Sequence, residues 1–210
     1  LVSLSIFACG KVSPLGEYTD FNGVNYVDMM TIDENMNIDG VLDEDVWTNS
    51  KNKLTAENTS NGKKMDVYTY IGENGVYFAF DVKDNALFYN PGRRQSRNSG
   101  VEVYLTTLDH FSLEPGCISV RLAPTGEGNE VVIEYYRPNS TRNEWTSAKA
   151  KGKYVGAAVV NGTMNSEAKD SEGYTAELAI SWDLLGVEKS DAVQYTASFV
   201  QALRYDGTDR

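Results

Sequence analysis

The stretch Asp66–Asp84, DVYTYIGENGVYFAFDVKD, constrains the fold of this chain more than any other. Val67–Ile71 and Val76–Val82 are β-branched and aromatic runs, the composition of strands. Between them lies Gly72-Glu73-Asn74-Gly75, and Asn-Gly accepts positive φ in tight hairpin turns. The stretch therefore reads as a β-hairpin. Its second strand is apolar at nearly every position, which predicts cover on both faces and a place in the middle of a sheet stack.

Further short strands follow from alternation. Val101–Thr106 sets Val101, Val103 and Leu105 against Glu102 and Tyr104. Cys117–Leu122 sets Ile118, Val120 and Leu122 against Ser119 and Arg121, and Val131–Tyr136 pairs back on it across a turn at Thr125–Asn129. Val27–Ile32, Val155–Val160, Tyr174–Ile180 and Gln194–Arg204 read as strands too. Asn85–Gly100, with Arg93, Arg94 and Arg97, reads as a loop, as does Asn161–Gly173. Ser181 or Asp183 can cap a single helical turn that Gly186 ends. No segment longer than about two turns has helical periodicity. The expectation is an all-β, antiparallel, jelly-roll-like β-sandwich with only short helical turns.

The chain has 210 residues, long enough to bury a core without staples. Its net charge of -11 opposes phosphate polyanions, so nucleic acid is not an expected partner. The charge serves solubility in the plainest reading; calcium binding and a neutral ligand such as a sugar are sharper ones. No apolar run approaches the ~18 residues that span a bilayer, so no membrane span is expected. Cys9 and Cys117 either pair as one disulfide or remain free thiols, which sequence alone does not decide.

Residues 1–28 read as an N-terminal strand and linker, and 29–210 as the sandwich. Leu1–Gly10 resembles the end of a lipoprotein signal with Cys9 lipidated, but Phe7 is a poor lipobox residue and no basic segment precedes it. The alternation of Val2, Leu4, Ile6 and Ala8 with serines reads better as a strand. Its pattern is similar to Tyr195–Val200, as if it were the last strand of a preceding module in an array. Asp33–Trp47 is rich in Asp and Asn, yet the twelfth position of an EF-hand register begun at Asn35 is Val46, so it is no EF-hand. It reads as a turn at Asp39-Gly40 and a short helical turn with Trp47 packed inward.

Four pieces stand in order: Ile38-Asp39-Gly40 with Leu42-Asp43-Glu44 and Trp47; the hairpin ending Val82-Lys83-Asp84; Gly100–Leu105; and Gly173–Trp182 with Leu185-Gly186. Together they resemble the family 9 carbohydrate-binding modules and their DOMON-like relatives over roughly Met29–Tyr205. The resemblance implies a non-catalytic module of a larger secreted or cell-surface protein, monomeric as a module. Such modules bind plant or cell-wall polysaccharide or oligosaccharide by aromatic stacking and hydroxyl hydrogen bonds, often as glycoside hydrolase accessory modules near structural calcium. It places the sugar-binding Glu at Glu102 and the Arg at Arg121. A carboxylate beside a guanidinium supplies both acceptor and donors for vicinal hydroxyls. The family's sandwiching Trp pair has no direct match, and Tyr89 and Trp145 are the candidate substitutes. Metal ligands are not assigned.

Other function classes fit less well. His110 is the single histidine, so a multi-histidine zinc site cannot be assembled, and as it follows Asp109 in a turn it reads as a surface residue rather than a triad base; a haem domain would lack its axial ligands. A glycosidase needs two carboxylates about 5–10 Å apart. Glu102, Glu134 and Glu177 lie on strands, but with 30 acidic residues some pair always meets that distance. The alternative to sugar binding is a structural or adhesive surface repeat.

Overall fold

A computed structural model describes residues 2–6, 30–48, 53–58, 63–94, 97–106, 113, 116–148, 152–186 and 195–202. Cys9, His110 and the linker up to residue 29 lie outside them. Among the described residues, eleven strands form two antiparallel sheets, with two one-turn helices. The first sheet runs in the order β2 (Lys53–Asn58), β3 (Lys63–Ile71), β4 (Gly75–Lys83), β10 (Gly173–Ser181) and β9 (Tyr154–Asn161). The second runs β1 (Val2–Ile6), β11 (Tyr195–Ala202), β5 (Gly100–Thr106), β6 (Cys117–Pro124), β7 (Val131–Pro138) and β8 (Trp145–Ala148). β1 pairs with β11, Leu4 opposite Ala197, and so belongs to the second sheet.

The facing surfaces of the sheets share one apolar core. Phe78 and Phe80 of β4, Leu178 and Ile180 of β10, Val101, Val103 and Leu105 of β5, and Ile118, Val120 and Leu122 of β6 are all buried in it. This follows from period-two alternation, which sends every second side chain inward. β4 is the middle strand of its sheet, as its composition predicts. Its other face, Tyr77 and Ala79, packs beneath a strap, residues 30–48, that adds Met30, Met36 and Trp47 to a second apolar cluster.

The strap ends in α1 (Asp45–Thr48), with Trp47 2% exposed, as the sequence predicts. Two carboxylates fasten it. Glu177 on β10 accepts from Asp39 N (3.0 Å), Gly40 N (2.9 Å) and Trp47 Nε1 (2.8 Å). Asp33 accepts from Glu73 N, Asn74 N, Asn74 Nδ2 and the Tyr77 hydroxyl. Burial pushes the Asp33 carboxyl up, but these donors outweigh it and hold the group below the ordinary range.

The hairpin turn differs from the expected one. Neither Asn74 nor Gly75 takes positive φ. Gly72 N bonds Gly75 O, and the turn amides are capped by Asp33, 40 residues away from Glu73. The glycines are needed for close approach: a Cβ at Gly72 would collide with Asp33 Oδ2, and one at Gly75 with the Ile180 carbonyl. Other differences are local. Of the expected strand Val27–Ile32, the described part, Met30–Ile32, is not a strand; its Met30 and Ile32 belong to the strap's apolar cluster. β2 and β8 are strands the alternation did not disclose. α2 (Trp182–Leu185) has Ser181 as its N-cap, accepting from Asp183 N, and Gly186 at φ 67 as its C-cap.

Candidate functional site

The outer face of the second sheet carries the polar residues. Register puts Glu102 opposite Arg121 and Arg121 opposite Glu134, one row across β5, β6 and β7. The next row is Tyr104, Ser119 and Tyr136, and Tyr136 faces Ser147 of β8. Trp145 lies on the same side, opposite Pro138. Directly opposite residues share a face, so the four strands β5 to β8 assemble this cluster from residues up to 43 positions apart in sequence, Glu102 to Trp145.

Glu102 is well supplied with donors. Ser119 Oγ donates to its Oε1 at 2.6 Å, and Arg121 Nη1 to its Oε2 at a long 3.4 Å. The Tyr104 phenol is pushed up to about 12 by burial, then by the charge of Glu102 and a hydrogen bond to it. Tyr136 donates to Glu134 Oε2, and its phenol is likewise pushed up to about 12, chiefly by burial. Both phenols are therefore neutral donors at physiological pH.

Arg121 is the unusual member. Its side chain is 7% exposed, yet Nε and Nη2 make no hydrogen bond among the described residues. A buried guanidinium ordinarily has its donors matched, because each unmade bond keeps its desolvation cost. The unmatched edge is the planar two-donor edge that recognises a pair of oxygens.

Glu102 and Arg121, predicted as a pair, are brought together. Trp145 is half-buried on strand β8, with its ring 5.7 Å from that of Tyr104, edge to face. Tyr89 is not joined to this cluster by any ring contact or hydrogen bond among the described residues. Its backbone is locked to Asn165 in the β9–β10 loop, N to Oδ1 at 2.9 Å and Asn165 Nδ2 to its carbonyl at 3.0 Å. Sequence reasoning missed Tyr104, Ser119, Glu134 and Tyr136 as companions of Arg121. The alternation of β7 around Glu134, read with the β6–β7 turn, held that signal.

The third strand glutamate, Glu177, lies in the other sheet and fastens the strap. Cys117 is a free, buried thiol against Thr106. Among the described residues, no group of three or more His, Cys, Asp or Glu is placed to hold a metal ion. Nor is any helix among them long and apolar enough to cross a membrane.

No family model matches the sequence, and no curated protein matches it. The chain is similar to two solved structures of a family 9 carbohydrate-binding module from Caldicellulosiruptor kristjanssonii. The first, in complex with cellotriose, is 16% identical, with a TM-score of 0.46 over 77% of this chain and 78% of that one. The second, in complex with glucose, is 13% identical, with a TM-score of 0.45 over 83% of this chain and 94% of that one.

Proposed function

We propose that the outer face of the second sheet binds carbohydrate and does so without catalysis, as a module of a longer secreted or surface-displayed protein. The observation that carries this reading is Arg121, buried with Nε and Nη2 unmatched. Those donors fit two hydroxyl oxygens of a sugar. Glu102 and Glu134 on either side accept hydroxyl hydrogens. The Tyr104–Trp145 pair offers apolar surface to the C–H side of a ring. Donors, acceptors and aromatic surface on one rigid sheet are the usual ingredients of a small-molecule site.

Titration calorimetry of the chain against xylan, cellulose and short oligosaccharides tests this, with Arg121→Met and Trp145→Ala beside the parent. Binding that both substitutions weaken at least tenfold supports the reading. A folded protein that binds none of these sugars instead favours a structural or adhesive surface module.

A further inference from the structure

The same face carries an unbalanced charge, and from it we infer that the site, granted that it binds carbohydrate, selects ammonium-bearing sugars such as glucosamine units over neutral ones and rejects uronates. Among the described residues, Glu102, Arg121 and Glu134 are the charged ones that register places on this face. Arg121 is committed to Glu102, through Nη1 and Oε2. Glu134 makes no ion pair with Arg121 among the described residues, although the two stand directly opposite. Its Oε2 accepts from Tyr136, and its Oε1 has no hydrogen bond among the described residues. The row thus holds two carboxylates against one guanidinium, with one carboxylate oxygen still open.

Two features turn this excess into selectivity. Glu134 is half-buried, where a charge is felt more strongly than in bulk water. The unmatched edge of Arg121 lies between two carboxylates, so hydroxyl oxygens suit it, while a uronate carboxylate there would meet like charge on both flanks. An ammonium at Glu134 Oε1 gains an ion pair, and the Tyr104–Trp145 ring pair stands on the same face. The sugar hydroxyls remain for Arg121.

The test is calorimetry of the whole chain with four trisaccharides: the glucosamine, N-acetylglucosamine and glucose trimers, and trigalacturonate. At low salt the glucosamine trimer should bind about fivefold tighter than the glucose trimer, with the uronate weakest. The advantage should shrink at high salt as the ion pair is screened. Glu134→Gln, its fold checked by thermal unfolding, should bring the glucosamine and glucose trimers to within about twofold of each other. A glucose trimer that binds while the glucosamine trimer binds no tighter overturns the inference and leaves carbohydrate binding standing, as does a uronate that binds tightest. No binding by any of the four removes both.

Discussion

Replacing Arg121 by methionine separates a residue kept for a ligand from one kept for the fold. The guanidinium is buried with a single, long bond to Glu102 at 3.4 Å and two unmatched donors. Each unmatched buried donor costs about 1–3 kcal/mol, so removing both relieves ~2–6 kcal/mol. Against that stands the charge-assisted bond, worth ~1.5–3 kcal/mol at good geometry and less at this length. Glu102 keeps Ser119 as a donor, and its side chain is 14% exposed, so it is not stranded. Methionine fills the stem's volume. With the bond at about 1.5 kcal/mol, the balance runs from near zero to ~4.5 kcal/mol in favour of methionine. For a chain of this size that is an unchanged or higher Tm, by ~2–4 °C per kcal/mol. Urea unfolding with an unchanged m-value reads it directly. The same variant should lose sugar binding. An ion pair kept for the fold behaves oppositely: removing one partner costs ~3–5 kcal/mol. A loss of that size would refute the reasoning, because Arg121 would then be structural.

Three further outcomes follow from the strap and the packing. Asp33→Ala strands the amides of Glu73 and Asn74 and the Tyr77 hydroxyl, and should cost about 3 kcal/mol or more by urea unfolding, Asp33→Asn less. Glu177 is pushed up to about 7, first by burial and also by the charge of Glu44, against the donors of Trp47, Gly40 and Asp39. A folded value above the unfolded one means that its contribution is fully present below pH 4.5 and is lost as pH rises through about 7. Glu177→Gln should therefore flatten the stability profile across that window, which denaturation at stepped pH would show. Gly173→Ala places a Cβ against the Val82 carbonyl at φ 130 and should lower stability by more than ~3 kcal/mol, visible as a fall in Tm.

Strands with clean alternation and apolar inner faces were legible: β3, β4, β5, β6, β7, β9 and β10 all stand where their patterns put them. β2, with Lys53, Thr55 and Glu57 alternating with Leu54 and Ala56, hid because it is an edge strand whose outward positions are charged. β8 hid because it is four residues long and polar apart from Trp145 and Ala148. In the candidate site, Glu102 and Arg121 could be nominated, but Tyr89 could not be separated from it, since nearness along the chain to β5 is not nearness on the face.

The sequence by itself determined the alternation that sends Phe78 and Leu178 inward and leaves Glu102, Arg121 and Glu134 outward. It also determined the caps of α2, because these rest on neighbours a few residues apart, and it marked Trp47 as an inward residue by its apolar bulk. Only the tertiary structure decided which outward residues meet. The row of Glu102, Arg121 and Glu134 depends on the register of three strands, the capping of Gly72–Gly75 on Asp33, and the fastening of the strap on Glu177. Each is set by backbone pairing or by contacts between residues dozens of positions apart, and a period-two pattern says which face a side chain takes, not which partner it will find there.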